Sequence, residues 1–396
     1  ERYQEKFFNL KSRSIMYCKS AISVIILLLT TWVFPRSVFS QSLNLNERIS
    51  TIDSSNIFED PNYYNWGSSV VKGEDGKYHL FYSRWQHGKR DVSQDKMNYI
   101  FDGFSGWLKC SEIAYAISDK LEGPYHFVKT ILKGDVNSWD QYTIHNPQIR
   151  KLDDKYYLYY ISNTYDPLLQ NDKMNAGTLE WFRYNANQKI GVIYANTLNE
   201  LISGDFVRLK EPIMQPDGKR LVDITNNPSV TQGPDGQFFM MFKSRNVHAG
   251  PATHWIATAP KPEGPYMLRD TVFTNPDMAC EDPFLWYDSN RKSFYAVMKN
   301  FNRSKKLIEE FGALALIESK DGLRWKPSQH TLVSNKELRF SDGRTIKLDH
   351  LERPFLYIDE HGEPTALFAA GSVLHPPKGN PEDGYNSFNV CIPLKK

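Results

Sequence analysis

The sequence predicts an all-β chain folded as a five-bladed β-propeller with four-stranded blades. Three observations predict it. One phrase recurs five times after residue 60: an apolar strand, a polar turn, an aromatic strand. A second pair of strands follows most copies, and no convincing long helix interrupts them. Self-similarity of this kind marks a repeat architecture, and four strands per repeat match a propeller blade.

Residues 1–40 stand outside the repeats. Met16 reads as a start, Lys19 follows, and an apolar run spans 21–34. That run is about fourteen residues, short of the ~20 needed to span a bilayer. Val38 and Ser40 then stand at −3 and −1 of a cut before Gln41. This is the layout of a cleaved secretory signal. The expectation is export, to the periplasm or the medium, with no membrane attachment after cleavage. Residues 41–396 then form one propeller domain.

Blade one opens at 66–71, turns at 73–77 and returns at 78–82. Blade two runs 145–149, turns at Asp153-Asp154-Lys155 and returns at 156–160. Blade three runs 226–230, turns at Gly233-Pro234-Asp235-Gly236 and returns at 238–242. Blade four runs 281–286, turns at Asp288-Ser289-Asn290 and returns at 294–298. Blade five runs 352–357, turns at Glu360-His361-Gly362 and returns at 365–368. Each phrase reads as a β-hairpin, with aromatic and β-branched runs around Asp, Asn and Gly. Outer strands are expected at 113–118, 190–194, 255–259 and 313–318. The longest insertions, 86–108 and 163–188, should overhang one face and shape a pocket.

Composition narrows the function. Lys and Arg total 48 against 46 Asp and Glu, so bulk charge gives no hold on a nucleic acid. Cys18 leaves with the signal. Cys110, Cys280 and Cys391 lack C-x-x-C spacing, so neither a disulfide framework nor a zinc site follows; one bridge or three buried thiols both fit. No P-loop, G-x-S-x-G, H-E-x-x-H or EF-hand loop is present.

The chemistry-bearing residues open the inner strands. Pro147, Pro228, Pro283 and Pro354 hold one equivalent place, where a strand needs no ladder hydrogen bond. Ahead of them stand His145-Asn146, Asn226-Asn227, Glu281-Asp282 and Glu352-Arg353, with Trp66-Gly67 in blade one. Inner strands line a propeller's channel, so these residues ring one end of it. Polar groups there are costly unless paired. They either close the blades by hydrogen bonding or bind a ligand.

Five-bladed propellers with acidic residues on x-Pro inner strands are glycoside hydrolases of families 43, 32, 68, 117 and 130, and the chain resembles them over residues 65–370. In family 43 and its relatives an Asp directly before Pro in the first blade acts as base, and a Glu two places before Pro in a later blade acts as acid. By this resemblance Asp282 takes the first type of position. Glu281 and Glu352 take the second, and His145 holds it in blade two. Blade one has Trp66-Gly67 where family 43 has its Asp, with Asp60-Pro61 just upstream at the expected ring-closing strand. Cys280-Glu281-Asp282-Pro283 is similar to the Glu-Asp-Pro element of the family 130 phosphorylases. Family 117 leaves room for a His acid, which suits His145 or His350.

The resemblance implies an exported glycoside hydrolase with Glu281, Asp282, Glu352 and His145 as catalytic candidates. One group protonates the leaving oxygen while the other activates water. Propeller relatives mostly invert, which needs the wider carboxyl separation. Arg84, Lys243, Arg245, Lys299 and Arg353 are expected to converge at the channel mouth. They would grip a sulfated, anhydro or uronic sugar, or else neutralise the local acids. Trp66, Trp85, Trp107 and Trp139 are expected to stack on sugar rings, and Asn146, Asn227 and His350 complete the binding set. No cofactor is required, and a structural cation in the channel is left open. Two rivals follow: a family 130-like phosphorylase and a non-catalytic carbohydrate-binding propeller.

Overall fold

The computed structural model describes residues 42–87, 104–171, 173–174, 176–373 and 386–396. The signal reading for 1–40 therefore lies outside the described residues. Residues Ser40–Lys396 form one compact unit.

Five four-stranded antiparallel sheets make the five blades. Blade one is Tyr63–Lys72, Tyr78–Gln86, Glu112–Ser118 and His126–Leu132. Blade two is His145–Leu152, Lys155–Ser162, Lys189–Ala195 and Val207–Arg208. Blade three is Val222–Gln232, Phe238–Arg245, Ala252–Ala259 and Met267–Thr271. Blade four is Cys280–Asp288, Ser293–Asn300, Leu314–Ser319 and Lys326–Ser334. Blade five is His350–Ile358, Pro364–Val373 and Asn386–Pro393, and it takes its outermost strand, Ile57–Phe58, from the other end of the chain. Ile57 pairs with Val390 and Phe58 with Asn389, which ties the first blade's side of the ring to the last. The closing strand thus ends two residues before Asp60.

The aromatic returns pack the blades together. Phe284 meets Phe355 edge to face at 4.8 Å between blades four and five, and Phe239 meets Phe294 at 4.7 Å between blades three and four. Such pairs bury large rings in their preferred tilted geometry. The insertions carry the described helices that reach the site, Trp107–Cys110 and Ala176–Asn185. The second is ten residues long and falls inside the 163–188 insertion, outside any repeat. Among the described residues no helix is long and apolar enough to cross a membrane. Cys110, Cys280 and Cys391 are free thiols, so the bridge that the sequence left open does not form.

One local device recurs in every blade. Every inner hairpin slips register at its opening doublet, between Trp66 and Ser68, His145 and Gln148, Asn226 and Ser229, Glu281 and Phe284, and Glu352 and Phe355. The residue inside each slip has positive φ: Gly67 at 49°, Asn146 at 54°, Asn227 at 53°, Asp282 at 57° and Arg353 at 54°. These are β-bulges, and the extra residue needs no ladder bond, which is why Pro is tolerated next to it. Gly, Asn and Asp enter this region readily; Arg353 does so only because its surroundings hold it.

Candidate functional site

The bulges split each opening doublet into two jobs. The second residue of each pair turns toward its counterparts and closes a ring. Asn146 Nδ2 donates to Asn227 Oδ1 at 2.9 Å, and Asn227 Nδ2 donates to Asp282 Oδ1 at 2.5 Å. The Arg353 backbone N–H donates to Asp282 Oδ2 at 3.3 Å, and Arg353 Nη1 stands 3.5 Å from Asp282 Oδ1. Gly67 completes the circuit between Asn146 and Arg353. A Cβ there would lie 2.8 Å from Asn146 Oδ1 and 3.3 Å from Arg353 Cγ. Blade one therefore has no room for an acid at this position. Asp282 is 3% exposed and both its oxygens are engaged in the ring.

The first residue of each pair borders a cavity of about 410 Å³ over the channel mouth. Its charged centre is a four-membered network. Lys243 Nζ donates to Glu281 Oε1 at 2.9 Å, and Lys299 Nζ lies 3.3 Å from Glu281 Oε2. Lys299 Nζ also donates to Glu352 Oε1, so one ammonium joins the two glutamates. Burial alone would raise the Glu281 carboxyl, but Lys243 and Lys299 outweigh it and hold it well below the usual carboxylate range. Burial would likewise pull the Lys299 ammonium down, and Glu352 and Glu281 reverse that and raise it. Glu281 is thus a fixed carboxylate, suited to accept a proton or to face a developing positive charge.

His145 stands on the aromatic side. Its Nδ1 shares a hydrogen bond with Ser111 Oγ at 2.8 Å. Its ring stacks on Trp107 at 4.6 Å and meets Trp85 edge-on at 5.5 Å. Burial, with the Arg353 charge nearby, pushes its pKa well below the ordinary imidazole value, so the ring is neutral at neutral pH. Trp66, Trp85 and Phe104 pack together beside it, and Trp107, Trp181 and Phe301 also line the cavity. Phe301 is 40% exposed, while Trp66 and Trp85 are 5% and 1% exposed and offer the cavity little more than an edge.

Sequence-predicted residues divide by where their strands aim them. Glu281, Asp282, Glu352, His145, Trp66, Trp85, Asn146, Asn227, Lys243, Arg245 and Arg353 all line the cavity, and Lys299 lies directly beneath its glutamates. Arg84 goes elsewhere. Its Nε donates to Glu112 Oε1 at 2.8 Å, and its guanidinium is clamped between the Tyr63 and Phe127 rings at 4.2 and 4.1 Å. His350 bonds Ser372 Oγ at 2.9 Å behind Trp66, and Trp139 packs on Tyr160 at 6.0 Å. Each cation lining the cavity has an acidic partner: Lys243 with Glu281, Arg353 with Asp282, and Arg245 with Asp223 at 3.3 Å. Among the described residues no three His, Cys, Asp or Glu gather in a way that would hold a metal ion.

Sequence reasoning missed Trp181, Phe301 and a polar chain on the blade-two side. There Asn226 Nδ2 donates to Gln188 Oε1 at 2.7 Å, and Gln188 Nε2 donates to Asn185 Oδ1 at 2.8 Å. The signal was the 163–188 insertion itself, which carries Trp181, Asn185 and Gln188 to the cavity.

No family model matches the chain, and no curated protein sequence matches it. Solved structures do. The chain is similar to a family 117 glycoside hydrolase produced by the marine bacterium Zobellia galactanivorans, with TM-score 0.54 and 14% identity over 87% of this chain and 88% of that one. It is similar to an α-L-arabinofuranosidase from Lactobacillus brevis, with TM-score 0.52 and 13% identity over 89% and 94% of the two chains. It is also similar to a protein of unknown function from Dyadobacter fermentans, with TM-score 0.55 and 11% identity over 86% and 97%. What is shared is the five-bladed fold. The expected architecture is therefore met along the whole array, and among these neighbours the named activities are those of glycoside hydrolases.

Proposed function

We propose that the protein is an exported glycoside hydrolase that cleaves an acidic or modified oligosaccharide or polysaccharide, with sulfated, anhydro or uronic sugars as the substrate class. The observation that carries the reading is the cavity itself: Glu281 and Glu352 share its lining with aromatic side chains, so that a sugar could stack while its glycosidic bond meets two carboxyl groups.

Glu281 acts as the base or charge stabiliser, because two ammonium groups keep it ionised. Glu352 acts as the proton donor. His145, neutral and held by Ser111, orients a sugar hydroxyl through its other ring nitrogen. Asp282 closes the ring and is not used in chemistry. Arg245, exposed enough to reach a ligand and paired only at 3.3 Å with Asp223, is the cation that meets an anionic substituent.

Blade one supports a second reading. Gly67 stands where family 43 carries its base, and both cavity glutamates are ion-paired, as in a propeller that binds carbohydrate without cleaving it. Incubation with sulfated, anhydro, uronic and neutral oligosaccharides, followed by reducing-end and product analysis, separates the readings. New reducing ends from an acidic sugar support hydrolysis. Cleavage confined to neutral sugars removes the acidic-substrate part. Phosphate-dependent release of a sugar phosphate replaces hydrolysis by phosphorolysis, and binding with no product leaves the non-catalytic reading.

A further inference from the structure

Deeper in the channel lies a charge that the proposed chemistry does not use. Counted from the bulges, the inner strands present Ser69, Gln148, Ser229, Phe284 and Phe355 at one level. Two residues further along, blade two presents Arg150, and neither level carries an Asp or Glu. The polar groups of the first level satisfy one another. Gln148 Nε2 donates to Ser229 Oγ at 2.8 Å, Ser229 Oγ accepts from Leu285 N at 2.7 Å, and Gln148 Oε1 accepts from Val230 N at 3.0 Å.

Arg150 is not satisfied in this way. Its side chain crosses from blade two, and Nη2 donates to the Leu285 carbonyl of blade four at 2.6 Å. Its guanidinium lies 4.3 Å from the Phe284 ring and 5.7 Å from that of Phe355. Nε is buried with no partner, and no carboxylate pairs with the group among the described residues. A cavity of about 260 Å³ adjoins it at the far end of the channel, walled by Val71, Ile149, Val230 and Phe355, with Thr231 on its lining. The other charged residues on that lining are Lys72 and Lys151, both exposed, and Lys151 already meets Glu74 at 3.3 Å. A half-buried guanidinium with a buried, unpartnered Nε beside a cavity with no acid on its walls favours a counter-charge, and cation–π contact with two rings supplies only part of it.

We propose that Arg150 anchors an anion site in the lower channel, taking a small monovalent anion of halide or carboxylate size. Apolar walls and a single half-buried cation disfavour a multiply charged, strongly hydrated anion such as phosphate. The bound anion would brace blades two, four and five where Arg150 bridges them. The site stands whether or not the upper cavity hydrolyses a sugar.

Thermal unfolding of the full chain tests this, in chloride, bromide, acetate and gluconate at matched ionic strength. Chloride or acetate should raise Tm along a saturating curve, by ~2 °C or more once the site is filled, while bulky gluconate does not. The better of chloride and acetate identifies an inorganic ion or a carboxylate as the occupant. In Arg150→Met the salts should become equivalent. Equal Tm in all four salts for the wild type, or an unchanged chloride effect in Arg150→Met, overturns the proposal. Should that variant fail to fold, chlorine-35 line broadening on the wild type decides. Saturable broadening displaced by bromide supports the site, and its absence refutes it.

Discussion

Lys299→Met removes the ammonium that Glu281 and Glu352 share while keeping much of the side chain's length. The Lys299 side chain is 7% exposed and the two glutamates are 14% and 16% exposed, so solvent screens the network little. Breaking a buried ion pair by deleting one partner costs about 3–5 kcal/mol. Lys243 stays on Glu281 at 2.9 Å, which places the expected loss near the lower end, about 3 kcal/mol at neutral pH. The pH dependence has a definite sign. Glu281 is held below its unfolded-state pKa, so it stabilises the fold above that value and loses the contribution as pH falls through the folded one. Removing one nearby cation raises the folded value by about 1–3 units. The stability gap between wild type and variant is therefore full at neutral pH, begins to shrink below about pH 4–5 and vanishes only as pH falls through the wild-type value of about 2. Urea unfolding of both proteins at neutral and acid pH measures it. A neutral-pH gap under about 0.5 kcal/mol, the size of a screened surface pair, would refute the reasoning. So would a gap that does not shrink in acid.

Three other outcomes follow from the same geometry. Gly67→Ala forces a Cβ to 2.8 Å from Asn146 Oδ1 at a φ of +49°, and thermal unfolding should show a loss of about 1–3 kcal/mol. Asp282→Asn keeps the shape of the ring's acid but takes away the charge facing Arg353; urea unfolding should show a loss of about 3 kcal/mol, while kcat of the folded fraction falls by less than tenfold. Trp181→Ala removes a wall of the cavity and not a reacting group, so steady-state kinetics should show KM raised about tenfold with kcat within about twofold.

The fold was legible because the repeat is written in local chemistry. Five turn-bounded aromatic hairpins and four x-Pro openings mark the five inner strands without any long-range information. The doublets were legible as a ring, yet not as two rings. Glu281 and Asp282 are neighbours in sequence, and only the bulge at positive φ sends one into the cavity and the other into the closure. Arg84 shows a second limit. It sits at the end of its strand as expected, but its register partner on the next strand is Glu112, and that pairing, with Tyr63 and Phe127 above and below, turns it from the cavity. Trp181 shows a third. It belongs to a helix in an insertion, where the repeat gives no position to count from. Of the five basic residues expected at the mouth, Lys243, Arg245, Lys299 and Arg353 gather there and Arg84 does not, and their acidic partners come from different strands and loops. Asp223 beside Arg245 lies on the same blade but 22 residues away in sequence.

The central claim is that Glu281 carries out chemistry in the upper cavity. Its most direct test is Glu281→Gln against wild type, with turnover and equilibrium binding measured on the same acidic oligosaccharide. The account predicts that kcat falls by about a thousandfold or more while the sugar still binds within about tenfold of wild type. Turnover by Glu281→Gln at the wild-type rate, on a sugar that the wild type cleaves, would contradict it.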